Sequence, residues 1–340
     1  MALQNREDEL LLAWKAFDSD NTKEGWQTIP LTSNGPCRLF AARHFPGNEE
    51  GLLIGFKSSI NFKSEQLPQG KGFLVSKADL GHGNSEELWI ALTRQIGGKL
   101  DLFRHMATDI LTTLDSLSGA SNERVLSMFL FRIRAWQDFM EKDRNLVLSS
   151  EAEIGLFGEL EFLRDLIESG VSARYAVECW EGPLNGIHDF NFLSGAIEVK
   201  STTSLNNFIA SIGSLDQLDP TIKFPLYLAA VRLEKSEVGR NISSQISDLR
   251  SLLKEDGEAL FVLNTKVVQA GFIDSSAAMY SKRFIRREIF LIEISGSFPY
   301  LSRANVAHGI LNARYEIDLD VIEQTKFPTD YVLEQLGVTE

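Results

Sequence analysis

Cysteine is nearly missing from these 340 residues. The two present, Cys37 and Cys179, stand far apart in the chain. They offer neither a disulfide framework nor the paired spacing of a zinc site. Both are read as buried thiols, and the chain is expected in the cytoplasm. Long apolar runs are missing too. No stretch reaches the ~18–20 residues that a bilayer-spanning helix requires, so no membrane partner is expected. The opening MALQNREDELLLAWKAF carries acids where a secretory leader carries basic residues.

Positive charge is in deficit. Forty-seven acidic residues oppose 34 basic ones, for a net charge of −13. That argues against a protein that coats nucleic acid through a uniformly basic surface. An enzyme with a local basic groove remains compatible. Histidine is scarce, and His44, His82, His105 and His308 show no ligand spacing. No Walker sequence occurs, and the GHG at 81–83 lacks the strand–glycine loop–helix setting of a nucleotide site. Any ATP-driven step therefore belongs to another protein. Repeats and low-complexity tracts are also absent.

What remains is a globular composition, 44% apolar and 24% charged. The first ~20 residues predict an amphipathic helix through Leu10, Leu11, Trp14 and Phe17. CRLFAAR, GLLIGF, GFLVSKADL and LWIALTRQI then read as strands, separated by turns such as FPGNEEG and LPQGKG. Two helices follow, DLFRHMATDILTTLDSL and NERVLSMFLFRIRAWQDFMEKD. In the second, Val125, Phe129, Ile133, Trp136 and Met140 form a core stripe.

Near residue 148 the pattern changes, dividing the chain into residues 1–148 and 149–340. SEAEIGLFGELEFLRDLIESG predicts a helix with Ser150 as N-cap and Glu153 completing a capping box. A loop, a hairpin, a short strand running into a helix start (NNFIASIGSLDQL), a strong strand (FPLYLAAVRLE), a helix (NISSQISDLRSLLKED) and a strand (RREIFLIEIS) come after it. That order predicts an α/β or α+β fold with a mixed central sheet flanked by helices. The strand-rich N-terminal part, ending in two helices, is expected to serve recognition or dimerisation.

The hairpin is HDFNFLSGAIEVKST, residues 188–202. Phe190, Phe192, Ile197 and Val199 alternate as its buried side, while Asp189, Glu198 and Lys200 are charged. Charged groups are rarely buried unless paired or bound to a metal. With Ser194-Gly195 as a two-residue turn, Asp189 lies across from Lys200 and Asn191 across from Glu198, and all four share a face. A three-residue loop would carry Asp189 to the other face. Two adjacent carboxylates are tolerable around a cation, and such oxygen ligands suit Mg²⁺ or Mn²⁺. Lys200, its pKa depressed by that cation and by desolvation, would orient or deprotonate water for phosphodiester hydrolysis. In the preceding helix Glu159 follows Leu156 by three and precedes Leu163 by four, so it lies along the apolar stripe and adds a third acid. Glu161 is expected to face solvent. Gly155 and Gly158 are read as allowing close approach to a sheet. A surface Asp189–Lys200 pair beside a solvated Glu198 is the alternative that the same residues allow.

GE on a helix, then HDF, then EVK on the next strand resembles the PD-(D/E)XK nuclease superfamily, and more narrowly a bacterial group of such motif proteins of uncharacterised function. The resemblance covers roughly residues 150–235. It implies a restriction-endonuclease-like core, with Asp189 as the motif aspartate, Glu198 as the second acid and Lys200 as the motif lysine. Glu159 matches the acid of the first core helix, and Gln217 a polar position of the same site. His188 stands where the superfamily name has proline. The implied activity is a Mg²⁺- or Mn²⁺-dependent endonuclease, with Asp189, Glu198 and Glu159 around the metal and DNA as substrate. A restriction or defence role, a homodimer and a separate ATPase or methyltransferase partner are further implications. A non-catalytic DNA-binding or assembly subunit keeping the fold is the competing expectation. His188, Ser201 and Thr202 adjoin the motif and are candidate phosphate contacts. So is KRFIRRE, with Lys282, Arg283, Arg286 and Arg287, which Arg232, Lys235 and Arg240 would extend.

Overall fold

The computed structural model describes residues 2–17, 24–57, 67–80, 87–141 and 147–338; the GHG at 81–83, with His82, lies outside them. The chain forms two compact units, Met1–Leu146 with Ile273–Ser275, and Val147–Phe272 with Ser276–Glu340.

The first unit opens with α1 (Ala2–Ala16). Strands β1 (Gly25–Pro30), β2 (Arg38–Phe45), β3 (Glu49–Lys57), β4 (Gln69–Gly70), β5 (Phe73–Ala78) and β6 (Glu87–Arg94) follow, then α2 (Leu100–Ser116) and α3 (Asn122–Glu141). The strands make one antiparallel sheet in the order β1-β2-β3-β6-β5-β4. In α2, Phe103, Met106, Ala107, Ile110, Leu111 and Leu114 are buried at helical spacing. The α3 stripe Val125, Phe129, Ile133, Trp136 and Met140 is buried as the periodicity predicts. Asp109 ties the two helices together. It accepts from the Arg132 guanidinium at 2.7 and 2.5 Å and from the Trp136 indole at 2.7 Å.

The second unit comprises α4 (Ser150–Glu168), α5 (Ala173–Cys179), β7 (Phe190–Phe192), β8 (Gly195–Thr202), β9 (Ile209–Ile212), β10 (Leu226–Arg240), α6 (Ile242–Leu252), α7 (Gly257–Ala270), β11 (Phe284–Glu293), β12 (Tyr315–Asp318) and α8 (Thr329–Gln335). Its main sheet is mixed, in the order β11-β10-β8-β7: β8 runs parallel to β10, and the outer pairings are antiparallel. Both faces of β8 and β10 are covered, as is usual for strands buried inside a sheet. Ile197, Val199, Tyr227, Ala229, Val231 and Leu233 face one core with residues of α4, α5, α6 and α7. Ala196, Leu226, Leu228 and Ala230 face another, with Phe208, Ala210 and Ile212 from the β9–β12 ribbon side.

Local details depart from the sequence expectations. Ser149, not Ser150, caps α4, accepting from the Ala152 N–H at 3.2 Å. Glu153 therefore sits one position past the capping box and pairs with Lys282 at 3.1 Å instead. After β9 the chain makes turns where a helix start was expected. Gly213 N–H is held by the Gln217 side chain at 2.7 Å, which gives the backbone a local partner outside a helix.

Candidate active site

The hairpin carries the site, with its turn one position earlier than expected; the pairing shifts by two residues, so Asn191 lies across from Ala196 and not from Glu198. Phe192 pairs with Gly195 and Phe190 with Ile197, so Leu193-Ser194 is the turn. A two-residue turn one position earlier leaves the parity of every side chain intact. Phe190, Phe192, Ile197 and Val199 remain the buried apolar side, and Asp189, Glu198 and Lys200 remain together on a shared cavity.

That cavity, about 460 Å³, is lined by Glu159, Asp189, Glu198, Lys200, Ser201, Thr202 and Gln217, among others. Helix α4 supplies Glu159, whose Oε2 accepts from the Trp180 indole N–H at 2.7 Å. Asp189 is fixed by the Val199 backbone N–H, which donates to its Oδ2 at 2.8 Å. Glu198 is 1% exposed; its Oε1 pairs with Lys200 Nζ at 2.8 Å. Its second oxygen, Oε2, is enclosed and meets no donor. Gly182, in the turn after α5, makes room for the acids. A Cβ there would lie 2.5 Å from Glu159 Oε2 and 2.8 Å from Asp189 Oδ1.

Burial raises all three acids above their ordinary ranges. Glu198 is pushed up to about 8 by burial and then by the charge of Asp189, against the pull of Lys200. Glu159 is raised well above a normal glutamate by burial, Asp189 and Glu198, opposed by the Trp180 bond and Lys200. Asp189 is raised by burial despite Lys200 and the Val199 N–H. Burial pulls Lys200 down, but Glu198, Asp189 and Glu159 together pull it further up. Without a cation, its ammonium is thus held in the charged form among the acids.

The donor set fits a divalent cation on two counts. One buried carboxylate oxygen has no partner, and two further carboxylate oxygens border a space that a methyl group would fill. Three carboxylates against one ammonium also leave the site short of positive charge. Among the described residues, however, no three Asp, Glu, His or Cys side chains form a group that could hold a metal ion.

Helix α4 approaches the strand because of Gly158: a Cβ there would fall 1.7 Å from Ser201 Oγ. Gly155 has open space around it and borders the cavity, so its missing side chain widens the site and is not needed for packing. Glu161 does not face solvent. It is 2% exposed and pairs with Arg240 at 2.7 Å and Arg286 at 3.9 Å. Another layer covers that side of α4, which a helical pattern alone does not reveal. Ser201 Oγ is buried without a partner. His188 is buried beside the site and is not part of the cavity wall; burial lowers its pKa.

The KRFIRRE segment is not a free basic patch. Lys282 pairs with Glu153, Arg286 with Asp165 and Arg287 with Glu234, while Arg283 donates to the Gly239 carbonyl. Arg232 is held by Glu288 and Asp320, and Arg240 by Glu161 and Asp248. All of these cations but Arg283 are matched by carboxylates within the chain, which lowers the net field they offer to phosphate, while Lys235 is exposed. Trp180 and Gly182 are site residues that motif spacing missed. Their signal in the sequence is only a tryptophan and a Gly-Pro turn ahead of the motif aspartate.

The model of the family described as "Putative PD-(D/E)XK family member, (DUF4420)" matches residues 10–320. The chain belongs to that family. The match takes in both units of this DUF4420 member, beyond the motif region from which the resemblance was drawn. No curated protein and no solved structure matches the chain. Among the described residues no helix is long and apolar enough to cross a membrane.

Proposed function

We propose that the chain is a metal-dependent endonuclease that hydrolyses phosphodiester bonds of DNA, in a restriction or defence role. The observation that carries this reading is the meeting of Glu159, Asp189, Glu198 and Lys200 in one cavity, with Glu198 Oε2 unpartnered. Membership of a PD-(D/E)XK family supports it. Asp189 and Glu198 would hold Mg²⁺ or Mn²⁺ directly, and Glu159 would act through water. Two carboxylates with water and substrate oxygens satisfy Mg²⁺. When bound, the cation supplies Lewis-acid stabilisation of the charge that develops on the phosphoryl oxygens.

The protein's own groups do the rest. Hydrolysis forms a bond from water oxygen to phosphorus and breaks one P–O ester bond, the leaving oxygen taking up a proton. Lys200 has three N–H donors, and Glu198 occupies one of them. The others can orient the attacking water or a phosphate oxygen. The Val199 N–H and the Trp180 indole hold Asp189 and Glu159 in place before substrate arrives, which lowers the cost of ordering them.

The test is incubation with supercoiled plasmid in Mg²⁺ or Mn²⁺. Wild-type protein is expected to nick or linearise it, and Lys200→Ala and Asp189→Ala to lower the rate at least about 100-fold. Binding without cleavage in either metal, unchanged by both substitutions, would establish the competing role of a non-catalytic DNA-binding subunit.

A further inference from the structure

The cavity that holds the acids does not end at Lys200. A second hollow of about 550 Å³ shares Lys200, Ser211 and Gln217 with it and continues past Gly213 to Arg314 and Tyr315. Its floor is the β9–β12 ladder, in which Tyr315 pairs with Ile212 and Glu316 with Ser211. Tyr315 is anchored: its hydroxyl accepts from the Leu301 N–H at 3.0 Å. It also lies close enough to Lys200 to feel that charge. The ribbon therefore fixes the direction in which the hollow leaves the acids.

Arg314 differs from its neighbours. The other arginines described in this unit have a hydrogen bond or ion pair within the chain, including Arg303, which is held by Asp216 at 3.0 Å. Arg314 has none and is exposed at the hollow's rim. An exposed guanidinium is ready for a bidentate contact with phosphate. Lys200, one shared wall away, is already engaged with Glu198.

Resting on the endonuclease reading above, we propose that Arg314 binds a backbone phosphate flanking the scissile one, and that the hollow between Lys200 and Tyr315 is the track the polynucleotide strand follows away from the acids. In a chain of strongly acidic balance such a local cation carries weight, since three of the four cations at 282–288 are paired with carboxylates. The contact is to phosphate and carries no base specificity.

Fluorescence anisotropy with a labelled DNA duplex in Ca²⁺, across a salt series, and cleavage of the same duplex in Mg²⁺ test this. Arg314→Ala is expected to weaken binding roughly tenfold, to reduce the log–log salt slope by about 1, and to raise KM with kcat little changed. Arg314→Lys should recover part of the affinity. Arg287→Ala, which removes a matched cation, should bind as wild type does. Because Arg314 is exposed, its variants should melt with wild type. Unchanged affinity and slope in Arg314→Ala, while wild type binds and cleaves, overturns this subsite and leaves the endonuclease reading standing. An equal loss in Arg287→Ala overturns it as well, by making the effect one of overall charge. If wild type neither binds nor cleaves the duplex, the endonuclease reading itself fails and the subsite with it.

Discussion

Gly182 shows how little space the acids leave. A methyl group there would press on Glu159 Oε2 and Asp189 Oδ1. Both carboxylates are tethered, by Trp180 and by the Val199 N–H, so neither can turn aside without losing a buried hydrogen bond, a loss of about 1–3 kcal/mol. Gly182→Ala is therefore expected to cut cleavage and divalent-ion affinity by tenfold or more while leaving the circular dichroism spectrum unchanged. Isothermal titration with Mn²⁺ reads the affinity; wild-type affinity in the variant would sink this account of the glycine. The loss differs from that in Lys200→Ala, which removes a charge and leaves the cradle open.

Between elements, the decisive contact is α4 against β8. Helix interiors pay about 1 kcal/mol for glycine relative to alanine, yet Gly158 sits where a Cβ would overlap Ser201 Oγ. Packing overrides propensity at this position. Gly158→Ala should destabilise the protein by about 1–3 kcal/mol through overpacking, despite the better helix former. Ser201→Gly, by emptying the opposing position, should restore much of the loss in the double variant. Urea denaturation of the four proteins forms the cycle, and additive effects would rule out the contact. The same helix carries Glu159 toward the acids and Glu161 toward Arg240 and Arg286. A helix with buried charge on two sides is one enclosed by two layers.

Taken as a whole, the protein stores unfavourable electrostatics at one point of a chain already at −13. Glu198 is raised from 4.5 to about 8 in the fold. Between those values the folded state holds a proton that the unfolded chain has released, so the stability this group contributes is full below 4.5 and is lost as pH rises through 8. In EDTA the melting temperature should accordingly fall as pH rises from 4.5 to 8. Mg²⁺ should raise it at pH 8 and have little effect at 4.5, where protons compete for the same oxygens. Saturation at 100 times the dissociation constant would contribute about 2.7 kcal/mol. A melting temperature indifferent to both pH and Mg²⁺ would contradict the raised acids. The cations at 282–288 belong to this scale too: three of them are paired with carboxylates of the chain, so under the proposal above the phosphate contact falls to Arg314.

Much of this was legible in the residues alone. The strands at 38–94, the helix from 150, the mixed sheet and the alternation of Phe190, Phe192, Ile197 and Val199 follow from periodicities of 2 and 3.6, which neighbouring residues carry within themselves. So does the shared face of Asp189, Glu198 and Lys200, because it depends only on parity; the turn moved by one position and the face survived. Which charges are matched could not be read that way. Glu161 finds Arg240 79 positions along the chain, and Lys282 finds Glu153 129 positions back. Against burial, the Lys200 pKa is raised first by Glu198 and Asp189, and Glu159 from the helix adds to them. Desolvation and Coulomb energy depend on distance through space, and only the packing of α4, the hairpin and the β9–β12 ribbon sets those distances.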